Sequence, residues 1–157
     1  MVITSKFTTA DIEKQMSRFV EAVADETIEA MKICGETAVS YARNDHKGNW
    51  HDVTGNLRSS VGYGIYEDGK KLMESDFKQI PPKVQTDIPL DGGSKGRDLN
   101  ESIGNRTKGL ALVVVAGMNY AHDVENRGND VITGAEAVAK QELSKQISQL
   151  IENIKKV

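Results

Sequence analysis

The segment Gly64-Ile65-Tyr66-Glu67-Asp68-Gly69-Lys70 carries two glycines and a lysine at the spacing of a phosphate-binding loop. Such loops work because backbone N–H groups and a lysine ammonium surround the phosphates. Here Lys71 stands where a Ser or Thr would hold Mg²⁺, and no strongly helical run follows to aim a helix N-terminus at the anion. The residues fit better as a strand closed by an Asp68-Gly69 hairpin turn. A second group, His46, His51 and His122 with Asp45, Asp52, Asp123 and Glu125, has the imidazoles and carboxylates of a metal or acid/base site. Its spacing matches no ligand pattern, and His46 and His51 flank a glycine-containing connection with Trp50 between them, as solvated loop residues do. Cys34 is the only cysteine and falls on the apolar stripe of a helical pattern. A thiol there behaves as a small hydrophobe with a raised pKa, not as a nucleophile. No nucleophile elbow or dinucleotide fingerprint is present, so the expectation is a non-enzymatic chain with no catalytic residue, cofactor or metal.

The elements that position these residues follow from periodicity. Apolar residues at Ile12, Met16, Phe19, Val20, Val23, Thr27, Met31, Cys34, Ala38, Tyr41 and Ala42 recur at steps of three and four, predicting one amphipathic helix. Thr8 and Asp11 suit its start, and Asn44 with Gly48 its stop. Leu57, Val61, Tyr63 and Ile65 share the favoured parity of a strand, with Lys70 to Ser75 returning after the turn. Lys78 to Lys108 holds all three prolines and the run Gly92-Gly93-Ser94-Lys95-Gly96, which predicts a long mobile loop, spanning about residues 77–108, cut first by trypsin at Lys83, Lys95 or Arg97. Leu110 to Met118 predicts the strongest strand, buried on both faces. Tyr120 to Glu125 suits a helical turn. Thr133 to Glu136 matches a capping box and opens a second amphipathic helix running to the C-terminus through Val138, Leu143, Ile147, Leu150, Ile151 and Ile154. Helix, strands, helix without βαβ alternation predicts an α+β fold, both helices packed on one face of a small antiparallel sheet.

Composition bounds the partners. The 157 residues suit a single domain, 1–157, able to bury ~70% of its unfolded surface. Twenty basic against 23 acidic side chains give a net charge of −3, without the basic excess that holds a domain on nucleic acid. The first helix is more acidic still, with Asp11, Glu13, Glu21, Asp25, Glu26, Glu29 and Glu36 against Lys14, Arg18, Lys32 and Arg43. One cysteine permits no intrachain disulfide, Met1 to Thr9 lacks a secretory pattern, and the longest apolar run is too short to span a bilayer. A reducing cytosol and no membrane are expected.

Asp52-Val53-Thr54-Gly55-Asn56-Leu57-Arg58-Ser59-Ser60-Val61 resembles the "TG-x-L-R-x-S-I" signature that follows the long N-terminal helix in a family of minor tail components of long-tailed bacteriophages. Asn119-Tyr120-Ala121-His122-Asp123-Val124-Glu125, followed by Gly128, resembles that family's "Y-A-x-x-V-E-x-G" motif, after which a C-terminal helix closes the domain. Arg127 before Gly128 and the expanded Lys78 to Lys108 segment depart from the family pattern. The matched positions are Thr54, Gly55, Leu57, Arg58, Ser60, Tyr120, Ala121, Val124, Glu125 and Gly128. In physical terms, Thr54-Gly55 suits a capped turn, Leu57 and Val61 enter the core, Tyr120 packs its ring with a wet hydroxyl, and Glu125 is a candidate partner for Arg58. The resemblance implies a structural phage or prophage protein of the head-to-tail junction or tail end, assembled in the bacterial cytoplasm into the virion. It also implies a homo-oligomeric ring meeting neighbouring neck or tail proteins, with DNA passing through and not held. The alternatives are a small metal-dependent or nucleotide-handling enzyme of mobile-element origin, and a cytosolic adaptor binding a partner helix. Independently, a helix of ~50 Å exceeds the ~13 to 16 Å radius of gyration of such a chain, so part of its stripe needs another chain. Phe19, Val23 and Met31, with the loop end of the sheet, are the expected contacts.

Overall fold

The computed structural model describes residues 7–45 and 52–154, so His46, Trp50 and His51 lie outside the described residues. Helix α1, Thr9–Ser40, starts with the expected cap. The Asp11 amide donates to Thr8 Oγ1 (3.2 Å) and Asp11 Oδ2 accepts from the Thr8 amide (3.0 Å). A π-helical turn, Tyr41–Asp45, ends it. Strand β1, Val61–Glu67, turns through Asp68 and Gly69, with φ of +49° and +80°, into β2, Lys70–Glu74. Positive φ at both central residues is the twist-matched two-residue hairpin, so the glycine–lysine run is a strand and its turn. Strand β3, Leu110–Ala116, pairs antiparallel with the other side of β1, giving the order β2-β1-β3.

Strand alternation sorts β1 onto two layers. Val61, Tyr63 and Ile65 face α1 and form the main core with Ala38, Val39, Ala42 and Ala135. Gly35 permits this approach, since a Cβ there would lie 2.6 Å from the Tyr63 ring. The Tyr63 hydroxyl continues past the core and donates to Glu36 Oε1 (2.8 Å). Ala135 belongs to α5, Thr133–Ile154, which packs along α1 in the opposite sense. The protein is therefore α+β, with its long first helix and C-terminal helix on one face of a three-stranded antiparallel sheet.

The other face departs from the expectation. Lys78 to Lys108 is not a loop throughout, because Gly92–Gly104 forms helix α3 across β1 and β3. Its small residues let it lie almost on the sheet backbone: a Cβ on Gly117 would come 2.5 Å from Gly96 Cα, and Gly104 sits against the Tyr66 ring. Asn100, fully buried, accepts from the Tyr66 hydroxyl (2.7 Å) and donates to the Val113 carbonyl (2.9 Å). The preceding segment is tied down too, with the Ile80 amide on Ser59 Oγ (2.8 Å), the Lys83 amide on the Val53 carbonyl (2.9 Å) and the Pro89 carbonyl on Asn56 Nδ2 (2.8 Å). A second correction concerns β3. The most apolar run lies at a sheet edge with half-buried positions, and the glycine-bearing β1 is the buried centre.

Two outcomes follow. Gly96→Ala should lower stability by ~1–3 kcal/mol in urea unfolding, because its methyl meets Ser60 and Phe77 with no room to yield. Trypsin should now cut at Lys83 well before Lys95 or Arg97, which α3 holds, Arg97 being paired with Glu74 (3.2 Å); equal cleavage of all three would contradict α3.

Candidate functional site

The first motif forms a junction, not a surface feature. Thr54 Oγ1 accepts the Asn56 amide (3.3 Å), and Gly55, at φ +76°, lies against the Ile80 carbonyl. The chain then makes the single turn α2, Asn56–Ser59. Asn56, buried between layers, offers Oδ1 to the Gly92 amide (3.2 Å) while Gln79 Oε1 accepts the Gly93 amide (3.3 Å). Those two side chains do for α3 what its own Asp91 does not, satisfying N-terminal amides that lack helical partners. Ser60 then binds the exit of β3, its carbonyl accepting the Gly117 amide (3.1 Å) and its hydroxyl the Met118 amide (3.3 Å).

The second motif closes on the first. Leu57 packs with Met118, Ala121 and Val131, with Tyr120 and Val124 around them. Ala121 opens the short helix α4, Ala121–Asn126, which ends at Gly128 with φ +86°. The Tyr120 hydroxyl faces Thr54 and the Asp52 carboxylate; burial, then the Asp52 charge, pushes its pKa up. Glu125 does not pair with Arg58. Its Oε1 instead accepts the Ile132 (3.2 Å) and Thr133 (2.8 Å) amides, capping α5. Arg58 lies 4.0 Å from Asp52, whose Oδ2 also accepts the Arg58 amide (3.1 Å). Burial pushes the Glu125 carboxyl up, but hydrogen bonds from Thr133, Ile132 and Val131 outweigh it and hold the group below its ordinary value. Asp130 completes the cap, accepting the Gly134 amide (2.8 Å) and the Tyr41 hydroxyl (2.9 Å). The expected capping box from Thr133 to Glu136 is thus replaced by caps from Glu125 and Asp130, and the Glu136 side chain pairs with Lys140.

The two long helices carry exposed apolar surface of their own. Helix α1 is buried only from Ala30 onward, leaving Ile12, Met16, Phe19 and Val20 exposed, while α5 exposes Leu143, Ile147 and Ile151. Because α5 runs antiparallel and brings Asn153 and Ile154 beside Gln15 and Phe19, the two helices form an arm reaching past the sheet. Of the expected contact residues, Phe19 is exposed; Val23 is half-covered by the end of α5, and Met31 is half-buried against the core. At the arm's base a groove of about 560 Å³ opens along β3, lined by Met31, Cys34, Leu112, Ala139 and Leu143 among others. Cys34 is almost wholly buried there, and burial, then the Glu142 charge, raises its pKa.

Of the residues first considered for chemistry, the described ones are not brought together. His122 lies beside Asn126 on α4, Asp52 and Glu125 serve backbone amides, and among the described residues no three metal-ligating side chains gather. Sequence reasoning missed Asn56, Ser59, Gln79 and Asn100. Asn56 and Ser59 sit inside the motif as unassigned letters, and the signal that locates them is the position of polar side chains beside apolar anchors.

Glu125→Ala should destabilise by ~1 kcal/mol at pH 7, a typical cap loss. A lowered native pKa contributes stability that is present above the unfolded carboxyl value, ~4.3, and is lost as pH falls through the lower native one. The gap between wild type and variant in urea melts should therefore narrow below pH ~4; a constant gap would show that the anion is not what matters. No family model, curated protein or solved structure matches the chain.

Proposed function

We propose that the chain is a non-catalytic structural protein of a tailed phage or prophage, placed at the head-to-tail junction or tail end of the virion, where it assembles with itself as a ring and with neighbouring neck or tail proteins. The observation that carries this reading is the meeting of the two motif segments. Thr54-Gly55-Asn56-Leu57 and Tyr120-Ala121, about sixty residues apart in sequence, pack as one junction that also sets the starts of α3 and α5. The resemblance lends the role; the convergence gives the matched residues a shared physical task.

The surface supports the same reading. The arm and the β3 groove leave apolar area of the kind assembly proteins cover with other chains. The acidic first helix and the overall charge of −3 suit a wall past which DNA moves without being held. Among the described residues no helix is long and apolar enough to cross a membrane.

Deleting the gene from the phage or lysogen that carries it should leave capsid and tail proteins made but unjoined, visible as separate heads and tails by electron microscopy, with infectious titre down by orders of magnitude. Joined particles at normal titre would overturn the proposal.

A further inference from the structure

The sheet has two edges, and they are built differently. Strand β2 carries Lys70, Lys71 and Glu74, and a bulge breaks its register with β1 between Ile65 and Tyr66. Charges and bulges are what keep an edge from pairing with another chain. Strand β3, Leu-Ala-Leu-Val-Val-Val-Ala, has neither a charge nor a proline, and its register with β1 is unbroken. The Gly117 amide donates to the Ser60 carbonyl (3.1 Å) and the Asp68 amide to the Gly109 carbonyl (3.0 Å), which commits the odd-numbered residues of β3 to β1. Leu110, Leu112, Val114 and Ala116 therefore direct their amides and carbonyls outward, where among the described residues nothing bonds them.

The apolar groove adjoins that edge. Leu110, Leu112 and Val114 line it with Ala139 and Leu143 of α5, and Ala111, of the opposite parity, lines it too, so it opens at the strand's edge as well as under its face. An open row of backbone groups beside an apolar groove is the acceptor for an added strand, which bonds through its own backbone and buries every second side chain. We infer that this strand is residues 2–5 of a neighbouring copy of the chain, with Ile3 in the groove. The inference rests on the self-assembly proposed above and gives it a contact; it does not require the virion role.

Composition and reach select this segment. Val2, Ile3, Thr4 and Ser5 are uncharged and three of them are β-branched, so they suit a strand and match an edge that offers no charge. Residues 1–6 lie outside the described residues and join the chain at the start of α1, the end that the sheet does not cover. Fully extended, the six residues from Ile3 to Thr9 span at most ~22 Å, whereas Met31, at the groove, lies ~33 Å along α1 from Thr9. The segment therefore cannot lie along its own β3, and the edge it can complete belongs to another copy. Donor and acceptor are different parts of the chain, so the contact is head-to-tail and repeats from copy to copy until a ring closes. Pairing of β3 with β3 about a twofold axis would stop at two copies.

Cysteine pairs in the full chain test this, in a Cys34→Ala background because Cys34 lines the groove. Circular dichroism and thermal unfolding check that each variant folds. Ile3→Cys chains mixed with Leu112→Cys chains under copper–phenanthroline should give a disulfide-linked dimer at least about tenfold faster than either variant alone. The mixture should also outpace Ile3→Cys with Ser102→Cys, exposed on α3 across the sheet, by the same factor. Leu112→Cys linking to itself as fast as the mixture would show β3 pairing with β3 and overturn the inference; so would no preference over Ser102→Cys. A second measurement leaves the core untouched. Removing residues 2–6, which keeps Phe7 and the Thr8 cap, should weaken concentration-dependent association at least about tenfold in light scattering. Association that ignores the deletion, or a wild type monomeric throughout, would also overturn it. Failure of both measurements, with unjoined heads and tails when the gene is deleted, would remove the strand exchange and leave the neck role standing; exchange without that phenotype would do the reverse.

Discussion

A helix of 32 residues is ~48 Å long, while the seven residues of β1 extend only ~23 Å, so the sheet cannot cover α1. The rest of the structure is arranged around that mismatch. The sheet takes the C-terminal third, where Ala30, Cys34, Gly35, Ala38 and Val39 are buried. Helix α5 takes the next part by running back along α1, and what neither covers stays apolar and open. Exposed apolar surface of this extent invites association.

The opposite face of the sheet solves a different problem. Helix α3 approaches so closely that glycines replace side chains where it meets the sheet, Gly96 lying against Gly117 and the Phe77 ring and Gly104 against the Tyr66 ring, over a buried cluster of Tyr66, Phe77, Val113 and Val115. Close approach brings polar backbone groups out of water, where each must find a partner. Asn100 and Asn56 provide them, the first joining Tyr66 to the Val113 carbonyl, the second holding the start of α3. The same economy recurs at Glu125 and Asp130, which cap α5 from outside it. The starts of α3 and α5 are set by side chains outside those helices, so the junction between the two motifs orients both of them and through α5 the arm.

What was legible in the sequence was whatever follows from periodicity. The first and last helices, the Thr8 cap and the Asp68-Gly69 hairpin all express local preferences that tertiary packing reinforces. The overhang of α1 was legible because length alone implies it. Helix α3 was not, since glycine signals loops when read locally, and here it is selected by contact with a sheet far along the chain. The same substitution of glycine for bulk made β1 look weaker than β3 and reversed their places in the sheet. Within the candidate site, the turn at Thr54-Gly55 and the burial of Leu57 were readable, whereas the partners of Arg58 and Glu125 were not, because each lies six to eight residues away, at Asp52 and at the Ile132 and Thr133 amides, a separation that follows no helix or strand period.

The proposed self-assembly has another copy cover the apolar stripe that α1 and α5 leave exposed. Amide hydrogen exchange measured on the same sample at low and at high protein concentration tests it most directly, since α1 before Ala30 and the second half of α5 have little cover of their own. If another copy covers the arm, protection in those two segments rises with concentration while β1 and α3 stay unchanged. Protection of the arm that is already complete at the lowest concentration and insensitive to dilution would contradict it.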